Sequence, residues 1–206
     1  MSFTTLAAVK EALRISGTAD DALITTIVAA VNAELLDFFH LDACASQQYT
    51  LSYDVLDEVR GIWLHPYPVI SADTVVVDGV TLTAGEYYLE ARNQRMGMLM
   101  RKDSGAVASA AFWPVGPQIA VITHTAGWAS GTPDPSLVRA GTLLAVYAYN
   151  TEAKLGFVSE RIGQYSYKLG SGIGSGQGAG GAEAGGWPAP VARILSQWVR
   201  PFAEGA

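Results

Sequence analysis

The feature that most constrains this chain is a change of hydrophobic spacing near residue 47 and a change back near residue 134. Before residue 47, apolar residues recur every three or four positions, which is typical of amphipathic helices. The signal is strongest at Leu23, Ile24, Ile27, Val28, Val31, Leu35 and Phe38. Residues 47–128 instead hold short β-branched or aromatic runs separated by turn residues, which are typical of strands. This order predicts an α+β fold, in which a small helical bundle carries an inserted antiparallel β module.

The helix boundaries follow from capping residues. We predict a first helix over residues 4–15, capped by Thr4 or Thr5 and ended by Gly17. Thr18 or Asp20 then caps the long second helix. A third helix begins with Asp134 as its cap and Pro135 in its first turn, and runs to about Lys154.

The β module is predicted to contain five or six antiparallel strands. Its clearest turn is Val77-Asp78-Gly79-Val80, a strong two-residue hairpin signal. We therefore divide the chain into a bundle of residues 1–46 and 129–158, a β module of residues 47–128, and a C-terminal arm of residues 159–206.

The arm is predicted to be a short helix on a flexible tether. Nine of the seventeen residues from 170 to 186 are glycine, which predicts a flexible coil with a root-mean-square reach of roughly 22 Å. The terminal helix is expected over residues 188–200, with four apolar residues on one face: Val191, Ile194, Leu195 and Trp198. Because so short a helix is marginal alone in water, we expect it to dock on a partner. Trp187 and Trp198 are candidate interface anchors, since tryptophan is enriched at interface hot spots.

Composition excludes several classes of protein. Half of the residues are hydrophobic and 16% are charged, so most of the chain should fold. The net charge of −6 argues against nucleic-acid binding, because such binding needs clustered lysines and arginines. The single Cys44 excludes internal disulfides and multi-cysteine zinc sites. There is no apolar run long enough to span a membrane, and no signal peptide at the N-terminus, so we expect synthesis in the cytoplasm.

No catalytic residue, metal site or cofactor is predicted. His40, His65 and His124 form no metal-ligand spacing, and we expect three unrelated structural or surface histidines. A nucleophile elbow and a phosphate-binding loop are both missing from the sequence. Asp54, Asp57 and Glu58 are expected to form a solvated acidic loop. The alternative is a cell-wall hydrolase that uses this carboxylate cluster.

Three tryptophans fall inside the β module, at Trp63, Trp113 and Trp128. We expect them to pack its core. The alternative is a glycan-binding module in which Trp63 or Trp113 stacks on sugar.

Several segments together resemble the head–tail connector proteins, also called adaptor or head-completion proteins, of long-tailed phages and of phage-like gene transfer particles. The start, TLAAVKEALRISGTADDALITTIVAAVNAELLDFF, resembles the family's short helix, aspartate loop and long helix. LHPYPVISADTVVVDGVTLTAGEYYLE resembles its β module, and VITHTAGW with PDPSLVRAGTLLAVYAY resembles the strand and helix that follow. SERIGQYSYKLG and VARILSQWVRP resemble the segments before and at the end of the arm. The resemblance covers nearly the whole chain, and the long glycine tract departs from it.

The resemblance implies a non-enzymatic virion protein at the neck of a siphophage-like particle or gene transfer agent. Such proteins form a ring, usually dodecameric, beneath the portal protein, extend the DNA channel, and carry the tail-terminator or stopper protein. Their C-terminal arms reach toward the portal. The residues of this arm that would bind the portal or another partner are Trp187, Val191, Ile194, Leu195, Trp198 and Arg200. Those expected at a subunit or portal contact are Glu160, Arg161, Ile162, Tyr165 and Tyr167. DNA would pass through without specific binding. Another neck component, a tail terminator or stopper, remains the alternative within this class.

Overall fold

The computed structural model describes residues 2–90, 97–102, 111–152, 159–162, 165–168 and 187–198. Within these residues the chain forms four helices and nine strands, which confirms the predicted α+β class. The helices are α1 (Leu6–Leu13), α2 (Asp21–Phe38), α3 (Pro135–Glu152) and α4 (Ala189–Leu195). The strands are β1 (Gln47–Val55), β2 (Gly61–Trp63), β3 (Val69–Val77), β4 (Val80–Thr81), β5 (Tyr87–Leu89), β6 (Met98–Arg101), β7 (Gly116–Ala126), β8 (Ser159–Ile162) and β9 (Tyr165–Lys168).

The strands pair antiparallel in three separate sheets. In the described residues the largest sheet has the order β1-β7-β3-β4, a smaller one has the order β2-β6-β5, and β8 pairs with β9. The 11-residue β7 pairs with both β1 and β3, and every second residue of its second half is buried: Ala120, Ile122, His124 and Ala126. Seven strands, β1 to β7, lie within residues 47–128, so the prediction of five or six was too low. The run that contains the Asp78-Gly79 turn forms two of them, β3 and β4.

The predicted two-residue hairpin is confirmed. Val77 pairs with Val80, and both turn residues have positive φ angles, 50° at Asp78 and 76° at Gly79. Positive φ at both central residues is the conformation that matches the twist of the flanking strands. An aspartate followed by glycine adopts it readily, so the turn is encoded locally.

The helix ends confirm some capping predictions and correct one. The Thr5 side chain accepts a hydrogen bond from the Ala8 N–H at 3.3 Å, and the Asp134 carboxylate accepts one from the Ser136 N–H at 2.9 Å. The prediction that Gly17 ends the first helix was wrong. Arg14 takes the left-handed conformation, with φ at 59°, and its N–H bonds back to the last turn.

The described chain divides into two compact units. The strand unit comprises residues 1, 34–133 and 198–206, and the helical unit comprises residues 2–33 and 134–197. The predicted division into a bundle, a β module and an arm draws different boundaries and stays a prediction. Within the described residues, no helix combines the length and apolar character needed to cross a membrane.

An aromatic cluster forms the core of one end of the strand unit. Phe39 is fully buried, and its ring meets four other rings edge to face at centroid distances of 4.9 to 5.6 Å, those of Phe38, Tyr67, Trp128 and Trp198. The Tyr67 hydroxyl donates to the Phe38 carbonyl oxygen at 3.1 Å, so its polar end is satisfied. We call these five residues the Phe39 cluster.

The helical unit is held by an apolar core and a buried polar contact. Val9, Leu137, Ala140 and Leu144 are among its buried side chains. Asn32 and the Thr4 backbone exchange two hydrogen bonds, each 3.1 Å long, and the Thr4 and Thr142 hydroxyls lie 3.0 Å apart. These bonds join the start of the chain to α2 and α3. They also give partners to polar groups that would otherwise be buried without one.

Candidate interaction site

The terminal helix is shorter than predicted and begins with two prolines. α4 spans Ala189–Leu195 rather than residues 188–200, and Pro188 stands at its N-cap position. Pro190 falls in the first turn, where a missing N–H costs nothing. At the other end the Ser196 N–H donates to the Ala192 carbonyl at 2.8 Å, and the Ser196 hydroxyl donates to the Arg193 carbonyl at 2.9 Å.

The apolar face of this helix is covered by the chain itself. Val191 is 1% exposed and Leu195 is 3% exposed in the helical unit, where α4 packs on α3. Trp198 is 5% exposed in the strand unit, where it joins the Phe39 cluster. Spacing predicted that these three residues and Ile194 share one face for a partner, whereas these three are buried within the chain and Ile194 is not.

Outside these buried positions, α4 and α3 together line a groove. We call it the α3–α4 groove; it is lined by Arg139, Leu143, Ala189, Pro190, Arg193 and Ile194. Arg139 and Leu143 are four residues apart and share one face of α3. Both arginines are exposed, and within the described part of the chain neither has an ion-pair partner. The groove thus combines an apolar floor with two uncompensated positive charges.

Sequence reasoning missed this pair of arginines. Arg139 and Arg193 are more than fifty residues apart, and only the packing of α4 on α3 brings them to one groove. The spacing of Arg139 and Leu143 on an exposed helix face was the one available signal. Of the predicted arm residues, Ile194 lies in the groove and Trp187 is half-buried, whereas Arg200 and the glycine tract of residues 170–186 lie outside the described residues.

The predicted contact segment before the glycine tract is a β-hairpin. Its register pairs Glu160 with Tyr167, Arg161 with Ser166, and Ile162 with Tyr165. The strand pairing of this segment was not predicted. Its role at a subunit or portal contact stays a prediction.

Two of the three histidines are in contact, contrary to the expectation that all three are unrelated. The rings of His40 and His65 meet edge to face, with centroids 5.1 Å apart, beside a shallow cavity that Tyr49 and Pro66 also line. The sequence did not predict this contact because the two histidines are far apart along the chain. Across the described residues, no three histidine, cysteine or acidic side chains come together in a way that could hold a metal ion.

His124 lies in the centre of the large sheet. It is fully buried, and neither ring nitrogen forms a well-aligned hydrogen bond within the described chain. Burial lowers the pKa of His124 below its usual value, and the nearby Pro66 backbone and the Asp73 carboxylate offset only part of this effect. The ring is therefore neutral at pH 7.

The geometry gives little support to the two alternative functions, a hydrolase that uses the carboxylate cluster and a glycan-binding module that uses the tryptophans. Asp54, Asp57 and Glu58 are all exposed, and Asp54 accepts a hydrogen bond from the Gln118 N–H at 2.6 Å. Trp113 is 1% exposed, with its indole N–H donating to the Arg60 carbonyl at 3.1 Å. Trp113 therefore packs the core, as expected, and offers no open ring for a sugar, whereas Trp63 is half-buried.

Comparison with known proteins identifies the fold. No protein-family model matches this chain, and none of the curated proteins matches its sequence. A chain from the neck of an empty gene transfer agent particle, computed with C6 symmetry, matches with a TM-score of 0.50 and 19% identity, over 96% of this chain and 91% of that chain. Chains from the neck of the native particle, computed with C12 symmetry, and from its virion match with TM-scores of 0.49 and 0.46, identities of 17% and 20%, and coverage of 96% of this chain and 90% and 91% of those chains. At this identity the first match shows that the two chains share a fold over nearly their whole lengths.

Proposed function

We propose that this chain is a structural, non-enzymatic protein of the neck of a phage-like particle. The observation that carries the proposal is the full-length fold match to a chain from such a neck. Its support is coverage, because the match extends over 96% of this chain and 91% of that chain. The independent resemblance of the sequence segments to head–tail connector proteins points to the same place.

Within the neck, the proposal gives the chain the adaptor role. Copies of it form a ring beneath the portal protein, extend the DNA channel, and provide the surface on which a tail-terminator or stopper protein assembles. The resemblance sets the expected copy number at twelve. The net charge of −6 suits a conduit, because a channel for moving DNA should not hold phosphates tightly.

The proposal assigns portal attachment to the C-terminal part of the chain, with one revision. Val191, Leu195 and Trp198 already pack within the chain, and freeing all three would cost about 4.5–9 kcal/mol at about 1.5–3 kcal/mol each. We therefore propose that α4 keeps these contacts in the ring. The portal is then reached by the β8–β9 hairpin, including Glu160, Arg161 and Tyr165, and by the segment that contains Arg200.

Loss of the chain tests the proposal directly. Particles produced without it should be heads that lack tails, and adding the chain back should restore tail attachment. Normal tailed particles that form without the chain would contradict a neck role. If tails form but fail to join filled heads, immunolabelling of the chain on the tail end rather than on the head vertex would favour a tail terminator over an adaptor.

The arm proposal needs point substitutions and not a deletion. Removing residues 187–206 would uncover the apolar surface beneath Val191, Leu195 and Trp198 and so would weaken the fold itself. Arg161→Glu and Arg200→Glu should instead weaken portal attachment while the chain stays folded. Lys168→Glu, in the same hairpin, is a matched control for the added negative charge. Unchanged attachment by both arginine variants would reject this part of the proposal.

A further inference from the structure

An exposed apolar patch lies at one end of the large sheet of the strand unit. Val55 pairs with Gly116 at the end of the β1–β7 ladder, which sets Leu56 beside Val115. Leu56 is 75% exposed and Val115 is 55% exposed. Phe112, 46% exposed, belongs to the same end, because the neighbouring Trp113 N–H donates to the Val59 carbonyl at 2.9 Å. We call Leu56, Phe112 and Val115 the strand-end patch.

Two carboxylates lie next to the leucine of the patch. Asp57 and Glu58 directly follow Leu56 and are both exposed. Within the described residues neither has an ion-pair partner or a side-chain hydrogen bond. Two cations lie at Phe112: the Arg60 guanidinium lies over its ring, 5.2 Å from the centroid, and the Arg101 guanidinium donates to its carbonyl oxygen at 3.2 Å. A cluster of exposed apolar side chains beside two exposed carboxylates is typical of a surface that binds a partner.

This surface is complementary to the α3–α4 groove. The groove offers Leu143, Ile194 and Pro190 as an apolar floor, with Arg139 and Arg193 at the surface. The patch offers one protruding leucine and two carboxylates. Apolar group meets apolar floor, and two negative charges meet two positive ones, so the two surfaces match in both respects.

We propose that the strand-end patch of one copy of this chain docks into the α3–α4 groove of the next copy. The inference rests on the proposed ring and names the contact that builds it. The occupant is a second copy because both halves of the complementary pair are present on this chain in equal number. Copies of a chain with net charge −6 repel one another, so association needs a local patch of the opposite sign, and the groove supplies it. A contact between two different surfaces of identical subunits propagates head to tail and can close into a ring.

Cysteine cross-linking tests the contact, because the natural Cys44 is buried, 3% exposed, and should not interfere. Full-length Leu56→Cys and Ile194→Cys proteins are mixed and oxidised. A disulfide-linked dimer that forms in the mixture, and in neither variant alone, is the expected result. A dimer of Leu56→Cys alone would mean that patch meets patch, and would overturn the proposal. No cross-link in the mixture would overturn it as well.

Charge reversal tests the electrostatic half. Reversing Asp57 and Glu58 to arginine should weaken self-association about five- to tenfold, as should reversing Arg139 and Arg193 to glutamate. Combining the two reversals in one chain should restore most of it. Failure of the combination to restore association would reject the charge pairing.

Leu56→Asp tests the apolar half and should weaken association about 10- to 100-fold. Val80→Asp is the matched control, since Val80 is 65% exposed at a strand end outside the patch. Association is measured by sedimentation of the full chain. If rings form in particle necks but the Leu56→Asp protein enters them normally, this inference fails while the neck function stands. If the chain is missing from necks, the function itself fails.

Discussion

The Phe39 cluster and the strand-end patch are both groups of large apolar side chains in the strand unit, and they differ in what surrounds them. Phe39 is fully buried and meets four aromatic rings, whereas Leu56 is 75% exposed and is followed by two carboxylates. Burial of the first group stabilises the folded chain. The second group stays in water, so its burial can stabilise only a contact with another surface. Substitutions in the Phe39 cluster should therefore lower the stability of the fold, whereas substitutions in the strand-end patch should weaken association between copies.

The largest expected effect is at the centre of the cluster. Phe39→Ala should lower the free energy of unfolding by about 3–5 kcal/mol, because a fully buried ring is lost and a cavity remains. Urea denaturation followed by circular dichroism measures this value. A loss below about 1 kcal/mol would show that the cluster is not the core that its burial indicates.

The next effect decides whether α4 belongs to the fold. Leu195→Ala should cost about 2–4 kcal/mol, since Leu195 is 3% exposed where α4 packs on α3. Gln197→Ala, at an exposed position two residues later, is the control and should change stability by less than about 0.5 kcal/mol. Equal stability of the Leu195→Ala protein and the original chain would mean that α4 is a free arm.

The buried His124 should make the stability of the folded chain depend on pH. The pKa of His124 is lowered in the folded chain, so below about pH 6.5, the ordinary pKa of histidine, the unfolded chain binds more protons than the folded one. Stability should thus decrease as the pH falls through and below this value. His124→Phe should flatten that part of the stability–pH curve, because phenylalanine does not titrate. Identical curves for the original chain and His124→Phe would contradict the prediction.

The smallest effect on folding is expected at the patch. Leu56→Ser should change the free energy of unfolding by less than about 0.5 kcal/mol, because the side chain is largely in water already. Thermal unfolding of dilute protein checks this. A loss above about 2 kcal/mol would place Leu56 in the core and remove the basis for an exposed docking group.

Local signals in the sequence predicted much of the fold. The Asp78-Gly79 turn and the Asp134 cap depend on neighbouring residues alone, and both were found as expected. Gly17 failed as a helix end because Arg14 took the left-handed conformation first. That choice depends on backbone bonds in the last turn, which spacing does not reveal.

The interaction surfaces were harder to predict because they depend on contacts between distant segments. Spacing predicted one face of Val191, Ile194, Leu195 and Trp198. It did not show that Val191 and Leu195 pack within the helical unit, that Trp198 joins the Phe39 cluster in the strand unit, or that Ile194 lines the α3–α4 groove. The same packing brings Arg139 beside Arg193. The spacing of apolar residues on a helix face is the same whether that face packs against another protein or against the same chain.

The central claim is that this chain forms the ring at the neck of a phage-like particle. A cryo-electron microscopy map of that neck, at a resolution that shows side chains, tests it most directly. The account predicts a ring of this chain beneath the portal, with α4 on α3 and Leu56 of each copy in the groove beside Arg139 and Arg193 of the next. A neck whose density holds no copy of this chain would contradict it.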